Sequence, residues 1–181
     1  PGMYSLSSGP TSSTPYGIYR PATVPAELVP QYVHMLDGET TMIESTNPQG
    51  PPLEYQSDQP PSPPAGPTSS VPIGAVCGTR SGDKGGDANL GIYARNDTTW
   101  AWLDNALTIE QLKNLLPETQ NLIIERYRYP KIRSLNFLIR GLLQEGVAAS
   151  TRQDPQAKAL GEWLRSRQME IPVQVIKETK G

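Results

Sequence analysis

The sequence holds one cysteine, Cys77, and one histidine, His34, and these two scarcities remove whole classes of chemistry. A single thiol cannot close an internal disulfide or supply a Cys-based zinc cluster, and it suits a reducing compartment. The only imidazole lies in the N-terminal stretch, so a serine nucleophile further along has no histidine within its own domain. Long apolar runs are missing too: none approaches the ~18 residues that a membrane-spanning helix needs. The first residues show no charged-then-apolar secretory pattern. With 16 Lys+Arg against 18 Asp+Glu, the chain lacks the basic excess of a phosphate-neutralising protein. Neither nucleotide-binding fingerprint, G-x-x-x-x-G-K-[ST] or G-x-G-x-x-G, occurs. The expectation is a soluble cytoplasmic protein with no nucleic-acid partner, no membrane partner and no cofactor.

What is present is unevenly distributed. Residues 1–70 are rich in Pro, Gly, Ser and Thr, and Arg20 is their only base against Glu27, Asp37, Glu39, Glu44, Glu54 and Asp58. Such a stretch cannot bury a core of its own. From Val71 onward aliphatic residues become frequent, bases outnumber acids, and the remaining length is usual for one compact domain. The reading is therefore an extended arm and linker over 1–70 and a folded domain over 71–178. Within the arm, the alternation around Tyr32, the turn pair Asp37-Gly38 and the run Thr40–Ile43 suggest a short hairpin inside 24–44. Residues 47–70 read as a proline-rich linker. Where an arm this poor in core residues is ordered, it is expected to lie against a second copy or another subunit, because ordering costs about 1–2 kcal/mol per residue.

Inside the domain, "VPIGAVCGTR" reads as strand, 81–87 as a glycine loop, and "ANLGIYAR" as a further strand segment. Asp97 to Leu107 is expected to be a short helix carrying Trp100 and Trp102. Thr108 with Gln111 makes a capping-box start for a helix that faces Ile109, Leu112, Leu115 and Leu116 inward. "NLIIERYRY" reads as strand, and "IRSLNFLIRGLL" fits strand or helix, of which strand is chosen. Asp154 to Gln168 is expected to be helical, with Asp154 as N-cap, Pro155 at the first position and Trp163 buried. "EIPVQVIKE" closes the domain as a strand. The order is βαββαβ, an α+β ferredoxin-like sandwich of two helices on an antiparallel sheet, with one extra strand segment after the glycine loop.

The densest chemistry lies in "CGTRSGDKGGDANLGIYAR". Gly82, Gly85 and Gly86 can take positive φ cheaply, so successive amides can line an anion nest to which Arg80, Ser81 and Lys84 add donors. Asp83, Asp87 and Asn89 offer three oxygens, short of the six or more a divalent cation wants, so no metal is expected. Ser81 activated by Lys84, or Asp83 and Asp87 as an acid/base pair, would be the catalytic options. The bland reading is that these carboxylates pair with Arg80 and Lys84 and stiffen the loop. Arg126, Arg128, Lys131, Arg133 and Arg140 can make a cationic face or a set of ion pairs. Asn136, an amide in an apolar run, either holds the glycine loop or reaches a ligand. Cys77 reads as a small buried residue.

As a whole string, "RSGDKGGDANLGIYAR" resembles the signature of the acyclic terpene utilisation AtuA family, in its C-terminal AtuA-like ferredoxin-fold domain. "ERYRYPKIRSLNFLIRGLL" and "DPQAKALGEWL" resemble that domain's later segments in the same order, so the likeness spans 71–172. The resemblance implies a domain that accompanies a larger AtuA-type core, so that this chain is a small subunit or excised C-terminal domain. It also implies a homo- or hetero-oligomer, and a tie to acyl-CoA catabolism or to biosynthetic clusters. On this footing the chain is not catalytic alone. It assembles through its arm and sheet and presents the 80–89 loop to a shared site for an acyl-CoA or carboxylate. The candidate ligand-binding residues are Arg80, Gly82, Gly85, Gly86, Asp87, Asn89 and Asn136. The alternatives are a lyase or hydratase using Ser81, Asp83 and Lys84, or a purely structural oligomerisation module.

Overall fold

A computed structural model of the chain describes residues 12–13, 15–18, 20, 22–44, 59 and 61–180. Most of the expected proline-rich linker lies outside the described residues. In the arm, β1 (Gln31–His34) and β2 (Thr40–Ile43) pair antiparallel, with Tyr32 opposite Met42. Gly38 takes the positive φ that the connecting turn requires. Both strands are exposed along their whole length.

The domain is built on a four-stranded antiparallel sheet ordered β4-β5-β7-β6. Its strands are β4 (Cys77–Lys84), β5 (Asp87–Ala94), β6 (Ile124–Tyr129) and β7 (Ser134–Ile139). Two-residue alternation dictates the layering: Ala88, Leu90, Ile92 and Ala94 on β5 and Leu135, Phe137 and Ile139 on β7 are buried, while their sequence neighbours face the other way. The buried face meets α1 (Asp97–Ala106), α2 (Ile109–Leu115) and α3 (Leu160–Arg165). α1 and α2 carry the chain from β5 across to β6, and β7 returns between them, which is the split connection expected for this α+β architecture. The strand choice for "SLNFLI" agrees with β7. The extra strand segment expected after the glycines is β5, which pairs with β4 at the edge of the sheet. The late strand β8 (Gln168–Pro172) instead pairs antiparallel with β3 (Thr68–Pro72) as a separate two-stranded ribbon.

Helix starts follow local chemistry. Asn96 accepts a hydrogen bond from the Thr99 amide, and Thr108 accepts one from the Gln111 amide, so α1 and α2 begin where capping side chains stand. Four expectations need correction. The span 81–87 is not a loop: β4 continues through Lys84, and only Gly85 and Gly86 form the turn. Ile109 stays exposed while Leu112, Leu115 and Leu116 are buried, because the helix starts at Ile109 with its first turn outside the core. Asp154 is not the N-cap: Ala157 sits at φ 51 and breaks the run, Asp154 accepts the amides of Lys158 and Ala159 in the turn before the helix, α3 starts at Leu160 after Ala159, and Trp163 is 53% exposed. Finally, "EIPVQVIKE" is strand only to Pro172. Proline ends the ladder, and Val175, Ile176 and Thr179, spaced for one helical face, turn the remainder into α4 (Val173–Lys180), whose Thr179 bonds the Thr99 hydroxyl of α1.

Candidate functional site

The β4–β5 hairpin pairs residue by residue from Cys77 opposite Ala94 to Lys84 opposite Asp87. Its connection is the two-residue turn Gly85-Gly86, with φ 65 at Gly85, as a primed hairpin turn requires at its first position. Gly82 and Gly86 do not take positive φ, so the expected run of left-handed glycines is absent and the amides serve the ladder. Gly86 is needed for another reason: a Cβ there would lie 2.2 Å from the Gln144 carbonyl oxygen, and the Gly86 carbonyl accepts the Leu143 amide.

Strand alternation divides the candidate residues between two faces. Ser81 and Asp83 share the helix-facing side of β4 with Cys77 and Thr79; Arg80, Gly82 and Lys84 share the other. Ser81 Oγ accepts the Gly161 amide at 2.9 Å and donates to the Lys158 carbonyl at 3.3 Å, tying β4 to the start of α3. Lys84 Nζ donates to the Asp83 carbonyl at 3.1 Å. Ser81 and Lys84 thus point to opposite sides of the strand. Asp87 pairs with Arg140 at 2.8 Å and accepts the Gly141 amide, rather than meeting Arg80 or Lys84. Arg140 also holds Glu125, which accepts the Tyr127 hydroxyl; that bond first, and Arg140 second, keep the Glu125 carboxyl below its ordinary value. Cys77 is fully buried, and burial pushes its thiol up to about 12, so it stays a neutral apolar group.

Arg126, Arg128, Arg133 and Arg140 are engaged in ion pairs. Arg126 and Arg128 turn inward and clasp Asp104 of α1 at 2.9 and 2.6 Å, and the Asp104 side chain is fully buried. Burial works to raise the Asp104 pKa, but hydrogen bonds from Arg128 and Arg126 overcome it and hold the carboxyl below its usual range. Arg126 also donates to the Asp104 and Leu107 carbonyls, closing the end of α1. Arg133 pairs with Asp97.

The face of the sheet away from the helices is left open. Across it, Arg80, Gly91, Asn136 and Tyr127 stand in register on the four strands. Asn136 Nδ2 donates to Asn89 Oδ1 at 2.9 Å. Arg80, Asn89, Gly91 and Asn136, with Tyr93, Tyr129, Ile132 and Ser134, line a hollow of about 370 Å³ floored by Gly91. Arg80 has no hydrogen-bond or ion-pair partner among the described residues. Lys158 reaches round the β4 edge, its Nζ 3.1 Å from where a Cβ on Gly82 would stand, and adds a second cation to this side. Beside the hollow, an apolar groove of about 610 Å³ runs along β6 and the following turn, lined by Tyr127, Tyr129, Pro130 and Ile132 among others. No cluster of three His, Cys, Asp or Glu side chains suited to a metal occurs among the described residues. No helix among them is long and apolar enough to cross a membrane.

The structure therefore gathers Arg80, Asn89 and Asn136, and separates them from Ser81 and Asp83. Sequence reasoning missed Gly91, Tyr93, Tyr129 and Lys158. Period-two alternation from Arg80 could have found the first two, since Asn89, Gly91 and Tyr93 share one face; nothing local points to Lys158.

Fold and site define a small α+β domain with one covered and one open sheet face. Residues 71–170 match the AtuA ferredoxin-like domain, and the chain belongs to that family. No curated protein matches the chain, and no solved structure does.

Proposed function

We propose that this chain is an AtuA-like small subunit or C-terminal domain that assembles with an AtuA-type core or with a second copy, and presents its open sheet face to a shared site for an acyl-CoA or carboxylate substrate. The observation that carries this reading is the uncovered face itself: Tyr93, Tyr127, Tyr129 and Ile132 are exposed beside an unpaired Arg80, on a sheet whose other side is closed by helices. Tyrosine and arginine are the residues that dominate protein interfaces. The arm supports it too. A two-stranded hairpin is marginal in water by itself, and β1–β2 exposes Tyr32, Val33, Met42 and Ile43. A partner surface would cover them.

In this reading the chain works in the cytoplasm, in catabolic or biosynthetic acyl-CoA metabolism. Any lyase or hydratase step uses a base from the core, because Ser81 is hydrogen-bonded to α3 and faces away from Lys84. Co-expression with an AtuA-type core, followed by size-exclusion chromatography with light scattering, tests the proposal. A stable complex, weakened by Tyr129→Glu or Ile132→Glu, is the expected result. A chain that elutes as a monomer and associates with no such core sinks it.

A further inference from the structure

The glycines of the β4–β5 hairpin separate into those the fold requires and one it does not. Gly85 needs its positive φ, and Gly86 the room for the Gln144 carbonyl. Gly78 admits the Tyr93 ring, whose nearest atom would lie 2.2 Å from an added Cβ. Gly82 lies under Lys158 Nζ. Gly91 has no such reason: its φ is ordinary for any residue, and an added Cβ would meet nothing nearer than 3.6 Å. It nevertheless stands in a central strand, where glycine costs about 0.5–1 kcal/mol and weakens packing. A strand glycine without a backbone or packing reason marks a place where another molecule approaches closely.

The groups round that floor define what approaches. Arg80, opposite Gly91 on β4, offers a planar fork of donors with no internal acceptor. The Asn136–Asn89 bond leaves the Asn89 amide N–H and the Asn136 amide oxygen unused, the latter 3.9 Å from where a Cβ on Gly91 would stand. Lys158 adds positive charge on the same side, and Glu162 in the neighbouring notch is paired with Arg165. Tyr93, Tyr129 and Ile132 give the hollow apolar walls. We infer that the hollow over Gly91 binds a short-chain organic acid: Arg80 takes the carboxylate, the asparagine pair orients it, and the tyrosine and isoleucine walls cover the carbon skeleton. The inference names the ligand class of the site proposed above, but it needs only one chain.

The test is titration of the full chain with butyrate, butyramide and inorganic phosphate, followed by calorimetry and amide chemical shifts. Butyrate is expected to bind with shifts centred on Asn89, Gly91 and Asn136, and butyramide at least about tenfold more weakly, as expected where a charge-assisted fork is lost. Arg80→Lys and Gly91→Ala should each weaken butyrate at least about tenfold without lowering the melting temperature, since one keeps the charge and the other fits the space. Ser81→Ala, on the opposite face, should leave affinity unchanged. Absence of butyrate binding overturns the inference, as does equal binding of phosphate or an undiminished affinity in Gly91→Ala. Butyrate binding by a chain that associates with no core would leave the hollow standing and remove only the assembly reading.

Discussion

The two faces of the central sheet come from the same strands, yet they answer to different demands. Toward the helices, Leu90, Ile92, Leu135, Phe137 and Ile139 are buried, and the one ionised group among them, Asp104, meets two arginines. Toward the outside, glycine, asparagine, tyrosine and arginine alternate with them, and Arg80 is left without a partner. One face meets its buried charge internally; the other leaves an arginine fork, an amide donor and acceptor, and aromatic surface unmet. Residues that meet their partners inside the chain hold it together, and residues that do not are the ones available to another molecule.

The contrast should break most sharply at Asp104. Replacing it with alanine takes the shared carboxylate from two guanidinium groups that are mostly covered, and removal of one partner from a buried ion pair costs about 3–5 kcal/mol. Arg80→Ala on the open face should change stability by no more than about 0.5 kcal/mol. Denaturant melts of both variants measure the difference, and equal losses would erase the division between faces. Acid sharpens the same point. The folded Asp104 carboxyl is held below its unfolded value, so its contribution is complete above the ordinary carboxylate range and disappears as pH falls through the lower folded value. Between neutral pH and strong acid the native chain should lose stability more steeply than Asp104→Asn.

Next in size come the glycines. Gly86→Ala drives a Cβ to 2.2 Å from the backbone oxygen of Gln144, which no side-chain rotation relieves, and a loss of about 1–3 kcal/mol is expected from such overpacking. Gly91→Ala, two and a half turns of the pleat further along the hairpin, meets only ordinary contacts and should leave the melting temperature unchanged or raise it slightly. If both substitutions prove equally harmful, Gly91 has a structural reason and no room is being kept on the open face.

Much of this division is legible in the sequence and some is not. Alternation in "ANLGIYA" and "SLNFLI" marks β5 and β7 and their buried sides, and Thr108 marks a helix start, because both signals act within a few residues. The α+β sandwich and the family follow from such segments and from the motif string. Illegible were the effects of distant partners. The glycine-rich span looked like a loop because glycine is read as a breaker, yet β5 supplies a full ladder and β4 runs to Lys84. The basic residues of 126–140 could be read as a cationic face or as ion pairs, and the sequence could not name the partners, because Asp104, which pairs with two of them, lies on another element. Lys158 arrives beside Gly82 from a segment far along the chain, and no pattern near Ser81 announces it.

The smallest effect is expected where the covered face is imperfect. Thr79 Oγ1 is buried against α3 with no hydrogen-bond partner, 2.7 Å from where a Cβ on Gly161 would stand. Its neighbour two residues on, Ser81, uses the same contact well, with one bond accepted and one given. Ser81→Ala should therefore cost about 1–2 kcal/mol, since it leaves the Gly161 amide unsatisfied. Thr79→Val removes a stranded hydroxyl at nearly constant volume and should be neutral or stabilising by up to about 1 kcal/mol. Parallel melts of the two variants decide whether hydrogen-bond satisfaction governs the β4–α3 seam. A Thr79→Val variant that loses as much as Ser81→Ala would mean that the hydroxyl has a partner such as water, and that the helix-facing side is less self-sufficient than its packing indicates.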